Sequence, residues 1–211
     1  MTYPLFIEID KFDHWAQSQY RTPQDDMVGE WECDYENWKN IYAAFEEFLN
    51  KKNSNQWNNK EKERLLYIIA RDNEMEILAN TLSEQDLAIL AKYSIKNGHI
   101  NDKWQLAVNI YKITNKQLAE NILEAFVNDE CEYVSRRALM ELAKINSIKV
   151  EYYAELFWNR NKYNDMNEYQ KIVVLFSLKE IYSKQLDKYI QLAKEDGRQF
   201  LVEYAIKMEH E

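Results

Sequence analysis

The side chains best suited to chemistry are few and scattered along this chain. Its three histidines, His14, His99 and His210, are widely separated and form no HExxH or HxxxH pair, so a histidine-built zinc site is not encoded. The two cysteines, Cys33 and Cys131, lack a CxxC neighbour and read as buried or partly buried free thiols. Three glycines in all cannot supply a GxGxxG turn, a P-loop or a GxSxG elbow. Asp10-Lys11-Phe12-Asp13-His14 holds metal-binding side-chain types, but a solvated acidic surface turn is the simpler account. Neither a metal nor a cofactor is therefore expected, and the chain reads as a protein without catalytic function.

The acidic residues are more informative. The formal net charge is −9, and it is unevenly placed. Residues 1–36 carry nine carboxylates against Lys11 and Arg21, a net of −7, which leaves the remaining 175 residues at −2. Within that segment Glu30, Glu32, Asp34 and Glu36 alternate strictly, on one strand face or crowded round a helix start. They lack the oxygen-rich loop and the glycine of an EF-hand. Acids there also favour the positive end of a following helix. The same segment contains Tyr3, Phe6, Phe12, Trp15, Tyr20 and Trp31. Carboxylates that steer and aromatics that anchor suit a basic protein surface.

The elements that must position these groups are helical. Hydrophobic residues make up 46% of the chain, which excludes disorder, while the scarcity of glycine and proline excludes turn-rich β-sandwiches and Gly-rich doubly wound folds. Asp34 is expected to cap a helix whose stripe is Trp38, Ile41, Tyr42, Phe45, Phe48 and Leu49. Residues 51–56 read as a loop, followed by further helical pattern through Leu65–Ala70 and Met75–Leu82. Ser83 and Asp86 have capping-box spacing. Helix pairs then follow in turn: Leu87–Lys96 with Trp104–Ile113, Gln117–Val127 with Val134–Ile145, Val150–Trp158 with Tyr169–Ile181, and Leu186–Lys194 with Phe200–Met208. Gly98 and Gly197, both in inter-helix turns, are 99 residues apart, three intervals of 33. A two-helix repeat of that size implies stacked hairpins.

The stretch Asn128–Ile145 carries a resemblance. Asp129 in the turn, then Val134, Arg136 or Arg137, Ala138 and Leu142, match in order the second half of a HEAT-type repeat. The likeness extends in rhythm over residues 83–208, although the turn proline is absent and the Asp/Arg pairing does not recur near residues 102 or 165. The resemblance implies an all-α chain: a right-handed α-solenoid of about four HEAT-like helix pairs. Residues 1–33 would form a partly irregular acidic aromatic segment, 34–82 a helical cap or degenerate repeats, and 83–211 the repeats, within one structural domain.

The expected function follows from charge and architecture together. The chain reads as an adaptor that holds a basic protein, most concretely a bacterial immunity protein that neutralises a toxin. Its expected contact residues are Asp25, Asp26, Glu30, Trp31, Glu32, Asp34, Trp104, Arg136 and Arg137. The alternative is a HEAT-like nucleic-acid-binding or DNA-repair glycosylase-type protein. It would use a strip formed by Lys103, Trp104, Lys112, Arg136, Arg137, Lys144 and Lys171, with a carboxylate such as Asp102 or Glu168. Overall acidity disfavours nucleic acid and anionic membranes as partners. Leu65–Ala70 and Ile172–Phe176 are too short to span a bilayer, and Leu5-Phe6-Ile7 is too short for a secretory signal, so a cytoplasmic setting is expected.

Overall fold

The computed structural model describes residues 3–19 and 31–209, and every regular element among them is helical. The chain divides into two compact units, Met1–Ile113 and Thr114–Glu211. The boundary falls between two helix pairs, so the acidic segment, the residues of the expected cap and the first expected pair share one unit.

The first unit opens with α1 (Pro4–Ser18), where irregular backbone and a surface turn at residues 10–14 were expected. Proline at the first helical position supplies a preset φ and lacks only an N–H that no helix start can use. Leu5, Ile9, Phe12 and Ala16 form its buried stripe. It packs on α2 (Trp38–Lys51), which buries Ile41, Ala44, Phe45 and Phe48. Asp34 does not cap α2: the helix starts after Asn37, without a side-chain cap. Phe12 joins the two helices, with Tyr35 edge-on at 5.1 Å and Trp38 tilted at 5.3 Å between ring centroids.

The polar stretch after α2 is more ordered than a plain loop. Ser54–Gln56 form a 3-10 turn in which Ser54 is buried, and Trp57 then stacks on Phe48 at 5.8 Å. Asn58 and Glu61 form a capping box that starts α3 (Asn59–Arg71), whose Leu65, Leu66, Ile68 and Ile69 enter the core. After α4 (Ile77–Thr81), Ser83 accepts a hydrogen bond from the Asp86 amide and starts α5 (Glu84–Asn97). The unit ends with α6 (Ile100–Asn109), packed on α3 and α5, and a 3-10 turn at Ile110–Lys112.

The second unit is three helical hairpins: α7 (Lys116–Val127) with α8 (Glu132–Lys144), α9 (Val150–Asn159) with α10 (Asn167–Glu180), and α11 (Leu186–Asp196) with α12 (Gln199–Glu209). The second helix of each hairpin packs on the second helix of the next, α8 on α10 and α10 on α12. The exits from α8 and α10 are alike in detail. Asn146 and Tyr182 both take left-handed φ, at 52° and 53°. The following Ser147 and Ser183 amides donate back to the carbonyls of Leu142 and Leu178, the wide bond of a Schellman-type end. Each serine hydroxyl then accepts from the amide two residues on, Lys149 or Gln185. The two junctions lie 36 residues apart.

Candidate functional site

In the first unit a short 3-10 turn, Trp31–Asp34, brings the end of the acidic segment against α2 and the α3–α4 connection. Cys33 and Asp34 face solvent, while Glu32 turns inward to 1% exposure. An isolated carboxylate would not stay charged at that depth, and the fold supplies a counter-ion: Glu32 Oε1 lies 3.2 Å from the guanidinium of Arg71, itself 3% exposed. The Trp38 indole N–H donates to the Glu32 carbonyl at 2.7 Å, so the same residue is held by its main chain as well. Arg71 lies over the Tyr67 ring at 5.4 Å.

Asp72, next along α3, has a different task. Its Oδ1 accepts from the Tyr42 hydroxyl at 2.8 Å, and its Oδ2 accepts from the Leu78 amide at 2.8 Å, across the connection that leads into α4. Burial pushes its carboxyl up to about 6, against the opposing effect of those hydrogen bonds. Burial together with the Asp72 carboxylate pushes the Tyr42 hydroxyl well above its ordinary value. At the mouth the Cys33 thiol donates to Glu74 Oε2 at 2.5 Å.

Between these groups lies an open cleft of about 360 Å³, walled by Trp38 and Tyr42 and rimmed by Glu74 and Met75. The two rings are stacked, with centroids 5.6 Å apart and planes at 21°. Met75 is 61% exposed and leaves the rim apolar. The arrangement is acceptor-rich and apolar at once. Among the described residues no group of three or more His, Cys, Asp or Glu is placed to hold a metal ion.

The expected contact residues fall in both units and partly outside the described residues. Asp25, Asp26 and Glu30 lie outside the described residues, and of Trp31 only the main chain is described, as the start of the 3-10 turn. Asp34 is exposed as expected. Glu32 is a correction: it is an internal ion-pair partner and cannot offer charge to a docking surface. Cys33 is another, exposed where a buried or partly buried thiol was expected. Trp104 is a third, at 6% exposure, because its indole N–H turns back along α6 to Asn101 Oδ1 at 3.0 Å. Arg136 and Arg137 are half-buried on α8 in the second unit.

Arg136 donates to Glu132 Oε1 at 2.8 Å and lies over Tyr133 and Tyr169, at 4.8 Å and 5.5 Å. Arg137 donates to the Tyr133 hydroxyl at 2.6 Å. The expected basic strip is thus largely internally matched. Lys144 pairs with Glu141 at 2.5 Å, Lys171 with Asp196 at 2.6 Å, and the Lys112 ammonium donates to the Asn80 carbonyl. The carboxylates once available to that strip are also occupied: Asp102 accepts from the His99 amide at 2.6 Å and Glu168 from the Leu201 amide at 2.9 Å. Burial holds the Asp102 carboxyl up at about 7.

No protein-family model matches the chain, and neither a curated protein nor a solved structure matches it. Among the described residues no helix is long and apolar enough to cross a membrane. Tyr42, Arg71, Asp72 and Glu74 are the cleft residues that spacing alone does not expose. Arg71, Asp72 and Glu74 carry one signal, the abrupt change from the apolar run Leu65–Ala70 to Arg71-Asp72-Asn73-Glu74-Met75-Glu76.

Proposed function

We propose that the protein is a HEAT-like helical-repeat adaptor without catalytic function that captures a basic protein, as a bacterial immunity protein captures a toxin. The observation that carries this is one acidic–aromatic face. Exposed Cys33 joins the turn Trp31–Asp34 to Glu74, so Glu74, Trp38 and Tyr42 line a single cleft at the end of a segment of net charge −7. Such a face steers a cationic partner over long range and anchors it with rings at short range. The 36-residue recurrence of the helix exits in the second unit, with α8, α10 and α12 packed in succession, supports the solenoid form of the repeat.

A nucleic-acid-binding role rests on the stacking of Arg136 with Tyr133 and Tyr169, a pairing of the kind that single strands use. It is the weaker reading, because Glu132, Glu141 and Asp196 sit on the cations that phosphate would need.

The decisive experiment pairs the chain with the protein encoded beside it. A co-purifying complex is expected, dissociated by salt and weakened when Asp25, Asp26, Glu30 and Asp34 are replaced by Asn and Gln. Unchanged capture by that variant rejects the acidic face as the contact. Salt-sensitive micromolar binding to duplex DNA, with no protein captured, replaces this function with the second one.

A further inference from the structure

We propose that the Trp38–Tyr42 cleft is a receptor for one arginine side chain of the basic partner. This rests on the preceding reading of the partner's charge and names the group that this cleft takes from it.

The charge balance of the lining points to a cation. Asp72 and Glu74 line the cleft above the buried pair of Glu32 with Arg71, the one positive group in its lining. That positive group is already matched, since Arg71 pairs with Glu32 at 3.2 Å in the floor. Asp72 accepts from Tyr42 and Leu78, which hold its oxygens but bring no positive charge. Glu74 is exposed at the mouth, and a thiol, a weak donor, is the hydrogen-bond partner the Cys33 contact gives it. A guanidinium displaces such a donor readily, because charge-assisted bonds to a carboxylate are about twice as strong as neutral ones. Among the described residues no three ligands of suitable type converge there to favour a metal ion.

The shape selects among organic cations. A cleft of about 360 Å³ admits a long side chain together with some water. Its walls are two stacked rings and its rim is the exposed Met75, surfaces that suit an aliphatic stem. At the end of that stem the head group meets ring surface and carboxylate together. Arginine answers both demands: its planar fork stacks on aromatic faces while offering N–H groups to a carboxylate, and it sheds water more easily than an ammonium. Lysine, a compact and strongly hydrated charge, gains less from the rings.

The test uses the whole chain carrying Cys131→Ser, with N-acetyl-arginine methylamide as the probe. The neutral citrulline analogue and the lysine analogue are the comparison arms. One readout is the indole N–H resonance of Trp38, which reports its bond to the Glu32 carbonyl. The other is the rate at which iodoacetamide alkylates Cys33, the thiol at the mouth. Saturable shifts of Trp38 and slowed alkylation are expected with the arginine probe. Glu74→Gln, an exposed change that leaves the fold intact by circular dichroism, is expected to weaken that binding about fivefold, and citrulline about tenfold or more.

An unshifted Trp38 indole at saturating probe overturns the assignment, as does equal binding by citrulline. Equal binding by the lysine analogue overturns the choice of arginine. If the basic partner is captured equally by wild type and Glu74→Gln, the adaptor function stands and the cleft assignment falls. If the probe binds the cleft but the neighbouring-gene protein is not captured, the cleft stands and the adaptor function falls.

Discussion

Glu32 and Arg71, 39 residues apart in the chain, meet at 3.2 Å with almost no solvent on either side. The pair ties the end of the acidic segment to the last turn of α3, and so sets where the cleft lies. Its value is in position more than in net energy, since desolvating two charges offsets much of their attraction.

Removing one partner therefore acts differently from removing both. Glu32→Ala takes the carboxylate away from a buried guanidinium and should destabilise the first unit by about 3–5 kcal/mol. The double variant Glu32→Leu with Arg71→Met should recover most of that loss, because apolar side chains of similar size need no counter-ion. Urea unfolding of the two variants measures the difference. Equal losses in both would mean that packing, and not charge, holds the turn.

Two buried carboxyls make stability depend on pH in an unusual sense. Burial raises Asp72 to about 6 and Asp102 to about 7, above the ordinary aspartate value. Groups raised in the folded state contribute stability that is fully present below their unfolded pKa and is lost as pH rises through the folded one. Stability should therefore fall between pH 5 and 8, by roughly 4 kcal/mol if both carboxyls act independently. Asp102→Asn retains an oxygen for the His99 amide and should flatten the upper part of that profile. Asp196 works in a separate window: Arg198 and Lys171 hold it down at about 2, so its contribution is lost only in strong acid. Thermal unfolding across pH 4 to 8 that rises toward neutrality would contradict this assignment.

The two glycines that share a spacing of 99 residues do unlike work. Gly98 has an ordinary φ of −83°, but a Cβ there would stand 2.3 Å from Asp102 Oδ1 and 2.7 Å from the Ser94 carbonyl oxygen. Gly197 has φ of +83° and open space around it. Gly98→Ala must displace the buried Asp102 cap and should cost about 1–3 kcal/mol. Gly197→Ala meets only backbone strain and should cost about 1 kcal/mol. Combining Gly98→Ala with Asp102→Ala tests the cause: the contact with Asp102 is relieved while the one with the Ser94 carbonyl remains, so only part of the Gly98→Ala penalty should vanish.

That contrast shows how far spacing can be read. Apolar period placed the helices from α5 to α12 within a few residues, because each buries one stripe and the turns between them are polar. At α1 the period is masked, because Glu8, Asp10 and Asp13 interleave with the stripe of Leu5, Ile9, Phe12 and Ala16. Nor does the period place Glu32, since a carboxylate in an acidic run carries no mark that its counter-ion stands 39 residues away. The cleft is a tertiary product: Tyr42 and Asp72 meet only after α2 and α3 have packed. Trp104 was misplaced for a related reason, its indole finding a partner one turn back within its own helix.

The helix exits provide a test of the repeat itself. Asn146 and Tyr182 hold equivalent left-handed positions, but asparagine tolerates that conformation far better than an aromatic residue does. Tyr182 is 93% exposed, so its ring contributes little packing to offset the strain. Tyr182→Gly should therefore stabilise the second unit by about 1 kcal/mol, and Asn146→Gly by only a few tenths. Denaturant midpoints read both. If the two exits are equivalent turns of one repeat, the order of the two effects follows from residue type alone. A larger gain at Asn146 would mean that the exits are held by different neighbours, and the 36-residue recurrence would lose its force as a repeat.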